Sequence, residues 1–166
     1  DDNDVEYNYI DTALQGVERI SKIVEVTLNF SRPTMPDIQD ININTQITSA
    51  LDLVSSIIKR KDIKVELKFD DNIPLIQADP KQIQQVLINL LTNASDAIKI
   101  SGKIKIETYI EKLGKSYETE HLVVSISDNG IGIMPEDLQK IFNPFFTRKH
   151  TGTGLGLPIT QRILHQ

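Results

Sequence analysis

Apolar residues recur at steps of three or four between Tyr9 and Phe30, at Ile10, Leu14, Val17, Ile20, Val24 and Leu28. That spacing predicts one long amphipathic helix. It ends at "SRP", because Pro33 disfavours helix in the residue before it. The stripe has no partner within its own segment. It is expected to pack on a helix outside this chain or on a second copy, the alternative being that it folds back on its own domain. "TMPDIQDIN" carries a second proline and no period, so it reads as a linker. A second helix follows, with Asn44 as its N-cap and Ile47, Ala50, Leu51, Val54, Ile57 and Ile58 on one face; Lys59, Arg60 and Lys61 suit its C-terminus. "IKVELKF" (63–69) alternates like a half-buried strand, and "NIP" (72–74) breaks it.

"ADPKQIQQVLINLLTNASDAIK" predicts a third helix. Asp79 caps it, Pro80 takes the first helical position, and Gln82 completes a capping-box spacing. Its apolar set is Ile83, Val86, Leu87, Leu90, Leu91, Ala94, Ala97 and Ile98, and "SG" at 101–102 ends it. "KIKIETYI" (103–110) and "HLVVSIS" (121–127) read as paired strands. "PEDLQKIF" predicts a short helix from Pro135, "NPFFTRKHTGTG" a mobile loop, and "LGLPITQRILHQ" the start of a last helix. Helices and strands mix without strict alternation, which predicts helices layered on one face of a mixed sheet.

Composition narrows the function classes. The 166 residues suffice for a domain with a core, and 39% hydrophobic with 25% charged residues describes a folded, water-soluble chain. The net charge of −5 argues against nucleic acid as a partner. With no cysteine, disulfides and thiol chemistry are excluded. The three histidines, His121, His150 and His165, lack ligand spacing, so a zinc site is not expected. No apolar run reaches ~18 residues and no signal-peptide pattern opens the chain. It begins "DDNDVEY", without methionine, and is expected to be a piece of something longer.

Three segments carry candidate chemistry. On the third helix Asn89 and Asn93 lie one turn apart at the border of the apolar arc. An amide oxygen there is a hard ligand suited to magnesium, which keeps waters and phosphates as its other partners; the plainer reading is two half-exposed polar residues. In "DNGIGI" (128–133) an acid closes a strand and bare backbone follows. A carboxylate facing a pocket accepts from an exocyclic amino group such as that of adenine, whereas guanine presents a carbonyl and leaves both groups unpaired. Gly130 and Gly132 would let a flat ring lie against the backbone; the plainer reading is a turn. In "HTGTGLGL", Gly152, Gly154 and Gly156 alternate before a helix, an arrangement that suits an anion such as triphosphate, or else a hinge. It matches neither the dinucleotide fingerprint nor the P-loop. Arg148 and Lys149 could reach phosphate oxygens, or be a solvated basic pair.

The order of these segments carries a resemblance. "QVLINLLTNASDAI", "DNGIGI", "IFNPFFTRK" and "GTGLGL" resemble the N box, first glycine box, F box and second glycine box of the sensor histidine kinases, in the ATPase superfamily shared with DNA gyrase and the mismatch-repair ATPases. The match covers residues 38–166 well. Residues 7–33 resemble, less specifically, the second helix of the family's dimerisation and phosphoacceptor hairpin.

The resemblance implies an α+β fold of Bergerat type: a two-layer sandwich with helices on one face of a mixed, mostly antiparallel sheet, preceded by a long helix. It divides the chain into 1–33 (part of the hairpin), 34–42 (linker) and 43–166 (catalytic ATP-binding domain, its C-terminal strands missing). It implies ATP and Mg2+ as cofactors, with Asn93 as metal ligand, Asn89 supporting the metal and phosphates, and Lys149 acting beside them. Contacts to ATP would come from Asn93, Asp96, Ala97, Asp128, Gly130, Gly132, Ile133, Phe142, Thr147, Arg148, Gly152, Thr153, Gly154, Leu155, Gly156 and Leu157. Phe142, Phe145 and Phe146 would anchor a lid over 143–153.

The implied activity is that of an ATP-dependent protein histidine kinase in two-component signalling. Its γ-phosphoryl group goes to a histidine and then to a response regulator. The implied setting is cytoplasmic, with a homodimer through the hairpin and a parent that is anchored in a membrane or not. Gyrase-type relatives have glutamate where this chain has Asn89, and an asparagine is not a useful base near neutral pH, so slow hydrolysis is expected. No histidine here has the family's acceptor context, and the first hairpin helix is missing. The alternatives are an ATPase or serine kinase on the same fold, an ATP-binding module without its own acceptor, or a dimerisation module.

Overall fold

The computed structural model describes residues 35–113, 119–149 and 152–165, together with Gly16, Val17 and Ile20, which are helical. The rest of the predicted long helix lies outside the described residues, as does His150. The described elements are β1 (Gln39–Ile41), α1 (Ile43–Arg60), β2 (Ile63–Lys68), β3 (Ile76–Ala78), α2 (Pro80–Ala97), β4 (Gly102–Leu113), β5 (Thr119–Asp128) and α3 (Gly156–Leu164).

The core follows from two helical stripes and one strand alternation. On α1 the buried positions Ile43, Ile47, Ala50 and Val54 step by four, three and four; on α2 and its cap, Leu87, Leu91, Ala94 and Ile98 repeat the same steps. Both stripes face Ile63, Ile104 and Ile106 of the sheet. Ile47, Leu91, Ile104 and Ile106 are wholly buried, each contributing about 1.5–3 kcal/mol. On β4 the alternate residues Lys103, Lys105 and Glu107 point away from the helices. They form a charged ladder in which Lys103 pairs with Glu66 and Lys105 with Glu107 at 2.8 Å. These lysines hold both glutamates below the usual carboxylate range.

The sheet order is β2-β4-β5. β2 runs parallel to β4, from Ile63 opposite Gly102 to Lys68 opposite Glu107. β4 and β5 are antiparallel, from Ile104 opposite Asp128 to Leu113 opposite Thr119. The expected two-layer α+β architecture is therefore present, with α1 and α2 packed on each other and covering one sheet face. No helix among the described residues is long and apolar enough to cross a membrane.

Four local expectations are corrected. The N-cap of α1 is Asn42, whose side chain accepts from the Thr45 N–H; Asn44 is the second residue of the helix. The Asn44 amide instead bonds Asp70 O at 3.1 Å and accepts from the buried Thr108 hydroxyl at 2.9 Å, joining α1 to β4 and to the segment that follows β2. Within the stretch read as linker, Gln39–Ile41 forms a strand paired with Ile76–Ala78; three residues are too few to display a period. α2 ends at Ala97, earlier than "SG", and Ser101 turns with a positive φ of 49°. Finally, residues 135–142 form consecutive turns, not a helix. Asp137 N bonds Met134 O, Lys140 N bonds Asp137 O and Asn143 N bonds Lys140 O, three-residue steps beside a lone four-residue step from Ile141 N to Asp137 O. Eight residues between two prolines lack the length for a cooperative helix.

The Asp79 cap and the Pro80 start predicted for α2 are met, while the reciprocal Gln82 side-chain bond of a capping box is absent among the described residues. Asp79 accepts from Lys81 N at 2.8 Å and Gln82 N at 3.3 Å, with Pro80 in the first turn. Burial pushes the Asp79 carboxyl up, but hydrogen bonds from the N–H groups of Asp37, Lys81 and Gln82 outweigh it and hold the group below its ordinary value.

Candidate active site

The candidate site is built around the second half of α2. At 100° per residue, Asn89, Asn93 and Asp96 fall within about 60° of one another, away from the stripe that faces α1 and the sheet. Both asparagines are half-buried. Asn89 reaches the start of α3, and Asn93 and Asp96 both reach Lys149.

Asn89 donates from Nδ2 to the carbonyl oxygen of Gly156, the first residue of α3, at 3.3 Å. Asn93 Oδ1 accepts from Lys149 Nζ at 3.0 Å, and Asp96 Oδ2 lies 2.7 Å from the same ammonium. Lys61, the C-cap of α1, closes the end of α2 by donating to Ser95 O at 2.7 Å and Ile98 O at 2.9 Å. It also stands 4.0 Å from Asp96 Oδ1.

The acid–glycine turn docks on the same helix end. Ile131 N donates to Ala97 O at 3.0 Å. A Cβ on Gly130 would lie 2.5 Å from the Ala97 carbonyl atoms, so this glycine is bare because α2 presses against it. Of the two readings the sequence leaves open, a flat ring against the backbone or a turn, the contact at Gly130 favours the turn. Gly132 differs: it has φ +70° and nothing within 4 Å of a Cβ, so the open face of the turn is there. Asp128 closes β5 and accepts from Gly130 N through Oδ1 at 2.8 Å. Its Oδ2 has no hydrogen-bond partner among the described residues. Neighbouring Ile133 is exposed.

The glycine-rich loop folds on the phenylalanine segment. Gly154 has φ +68°, its carbonyl accepts from Phe145 N at 3.0 Å, and a Cβ would lie 2.4 Å from the Phe145 carbonyl carbon. Gly152 N bonds Lys149 O, and a Cβ there would meet Thr147 Oγ1 at 2.6 Å. Thr147 Oγ1 in turn accepts from Lys149 N at 3.1 Å. Thr153 is half-buried, Leu155 is buried, and Leu157 lies in the first turn of α3. α3 starts without a side-chain cap, unlike α1 and α2. Its first N–H groups thus lack a side-chain acceptor, as an anion site requires.

Arg148 is placed differently from its neighbour. Its guanidinium takes Asp137 in a two-point bond, Nε to Oδ2 at 3.0 Å and an Nη to Oδ1 at 2.9 Å. The hydrogen bonds and charge of Arg148 hold the buried Asp137 carboxyl below its ordinary value, and Asp137 raises Arg148 in return. The sequence offers this arginine a phosphate or solvent and does not single out Asp137, an acid within the predicted short helix; the structure gives it that acid. Phe142 and Phe145 are exposed and Phe146 half-buried. Phe142 lines a groove with Pro144, Pro158, Gln161, Arg162 and His165, and none of the residues around Asn93 or Asp128 lines it.

The metal question turns on donor chemistry. Asn93 Oδ1 and the Asp96 carboxylate are hard oxygens that already converge on one cation, the Lys149 ammonium, so the donor set suits magnesium. Among the described residues no group of three histidines or acids forms a separate metal cluster.

The family described as "Histidine kinase-, DNA gyrase B-, and HSP90-like ATPase" matches residues 78–166. Sensor histidine kinase ZraS of Salmonella typhimurium is 36% identical over 149 residues, covering 90% of this chain and 31% of that protein. Signal transduction histidine-protein kinase AtoS of Escherichia coli is 35% identical over 161 residues, covering 97% of this chain and 26% of that protein. The chain thus spans less than a third of these relatives' length. Among solved structures, the catalytic domain of histidine kinase ThkA superposes with a TM-score of 0.66 at 36% identity, covering 78% of this chain and 80% of that one. ThkA in complex with response regulator protein TrrA gives a TM-score of 0.67 at 31% identity, covering 84% and 40%.

Proposed function

The chain belongs to the histidine kinase-, DNA gyrase B- and HSP90-like ATPase family, as an ATP-binding domain of the sensor histidine kinase kind, and on that premise we propose that it holds Mg-ATP along α2 and donates the γ-phosphoryl group to a histidine. One observation carries the reading: the acid–glycine turn, Lys149 of the lid and the start of α3 all meet the last three turns of α2.

In this reading Asp128 faces the adenine amino group through its second oxygen, with the open side of Gly132 beside the ring. The N–H groups around Gly154 and Gly156 receive phosphate oxygens. Asn93, with Asp96 behind it, holds magnesium, which supplies charge neutralisation on the phosphates. Phosphoryl transfer needs mainly in-line placement and such neutralisation. The bond from the γ-phosphorus to the bridging oxygen breaks, ADP leaves with the electron pair, and a phosphorus–nitrogen bond forms on a neutral imidazole, the main form near pH 7 given an ordinary pKa of about 6.5. Asn89 offers no base to activate water, so the phosphoryl group is kept for the histidine.

The acceptor lies on a helix outside this chain, presented by the hairpin of a homodimer to which residues 1–33 belong. A response-regulator aspartate receives the group next. The ThkA–TrrA complex supports that partner class.

The test is to combine the chain with γ-labelled ATP, magnesium and the parent's acceptor hairpin. Acid-labile, alkali-stable label on the hairpin is the expected result. Acid-stable label, or rapid phosphate release without transfer, overturns the assignment.

A further inference from the structure

The cationic tip of Lys149 rests on the two oxygens read above as the metal's side of the site. Nζ lies 3.0 Å from Asn93 Oδ1 and 2.7 Å from Asp96 Oδ2. These contacts cross 56 and 53 residues of sequence, so they are a tertiary placement and not a helical neighbour effect. The backbone of Lys149 is secured separately, its N–H by Thr147 Oγ1 and its carbonyl by Gly152 N. The side chain can therefore move while its anchor stays.

Arg148 next door lacks this freedom. It holds the buried Asp137 by a planar two-point bond. Lys149 is a point charge on a flexible stem, and its side chain is 43% exposed. Asp96 keeps a second cation near it when Lys149 departs, because Lys61 stands 4.0 Å from its other oxygen and is itself fixed to two helix-end carbonyls.

We propose that Lys149 is a built-in stand-in for the metal: its ammonium holds Asn93 and Asp96 while no divalent cation is bound, and metal entry transfers it to the phosphate oxygens. The inference rests on the reading of Asn93 as metal ligand. A divalent ion and an ammonium on the same oxygens repel each other, so the two occupy the site in alternation. The exchange also supplies the phosphates with a positive charge when the metal arrives.

The test uses Mn2+ as the probe on the full chain without nucleotide, read by water-proton relaxation. Lys149→Met is expected to bind Mn2+ about tenfold more tightly, the scale set by removing one charge ~4 Å from a divalent ion in screened water. Lys149→Gln should behave likewise, and Lys149→Arg, which keeps the charge, should stay near the unmodified protein. ATP with Mg2+ present should bind more weakly to Lys149→Met, which has no ammonium to move to the phosphates. Equal Mn2+ affinity in the unmodified, Met and Gln proteins overturns the stand-in. The function proposed above fails separately, if the unmodified chain binds no ATP in the presence of Mg2+.

Discussion

Asn89 donates its side-chain amide hydrogen to the carbonyl oxygen of Gly156 at 3.3 Å, across 67 residues of sequence. The bond sets the first turn of α3 against α2 and so fixes where the glycine-rich loop delivers its backbone N–H groups. An amide does this where a carboxylate cannot, since a carboxylate has no hydrogen to give a carbonyl.

Asn89→Ala therefore misplaces the loop. ATP affinity should fall about tenfold, the equivalent of one lost hydrogen bond of ~1.4 kcal/mol, and phosphoryl transfer should fall further. Calorimetric titration and a transfer assay check the two. Unchanged values in both would leave the bond without a functional role. Asn89→Glu should trade transfer for slow hydrolysis, since a base then faces water.

The open oxygen of Asp128 implies base selection. The unmodified chain should prefer ATP to GTP by about 10- to 100-fold, the cost of leaving buried polar groups unpaired. Asp128→Asn should erase most of that margin, because its amide donates to a guanine carbonyl. Competition between the two nucleotides for a fluorescent analogue reads this directly; equal affinity in the unmodified chain sinks the pocket assignment.

The Arg148–Asp137 pair predicts a pH signature. Asp137 titrates below its ordinary value in the folded chain, so it binds fewer protons folded than unfolded. Its contribution is fully present above the ordinary aspartate range near 4 and is lost as pH falls through the lowered folded value. Arg148→Met should lower the urea midpoint at pH 7, and the gap to the unmodified chain should shrink below about pH 4. A gap that stays constant with pH would show that the pair is not its source.

Gly130 and Gly132 should respond differently to alanine. At Gly132 the added methyl meets open space, and the cost is the left-handed backbone, about 1–2 kcal/mol. At Gly130 the methyl strikes the Ala97 carbonyl, adding ~1–3 kcal/mol of overpacking to the loss of the Ile131–Ala97 bond at ~1 kcal/mol. Urea unfolding ranks the two, and a larger loss in Gly132→Ala contradicts the packing described.

Much of the fold is legible in the chain because it depends on short-range periodicity. The stripes of α1 and α2, the Asp79–Pro80 start and the alternation of β4 are local patterns with local causes. The turn at 135–142 misleads because its apolar spacing imitates a helix while Asp137 is drawn inward by an arginine eleven residues on. The strands 39–41 and 76–78 stay hidden because each is justified only by the other.

The same division holds for the site. The linear chain by itself determined which chemical groups are present and in what order: two amides on one helix, an acid before glycines, a loop of bare backbone. Only the tertiary structure decided what each one meets. Gly130 meets a helix end, Arg148 meets an acid, and Lys149 meets the oxygens of Asn93 and Asp96. The reason is that residue type sets what a group can bond, while its partner is chosen by packing between segments that lie from 11 to 56 residues apart, which no local pattern encodes.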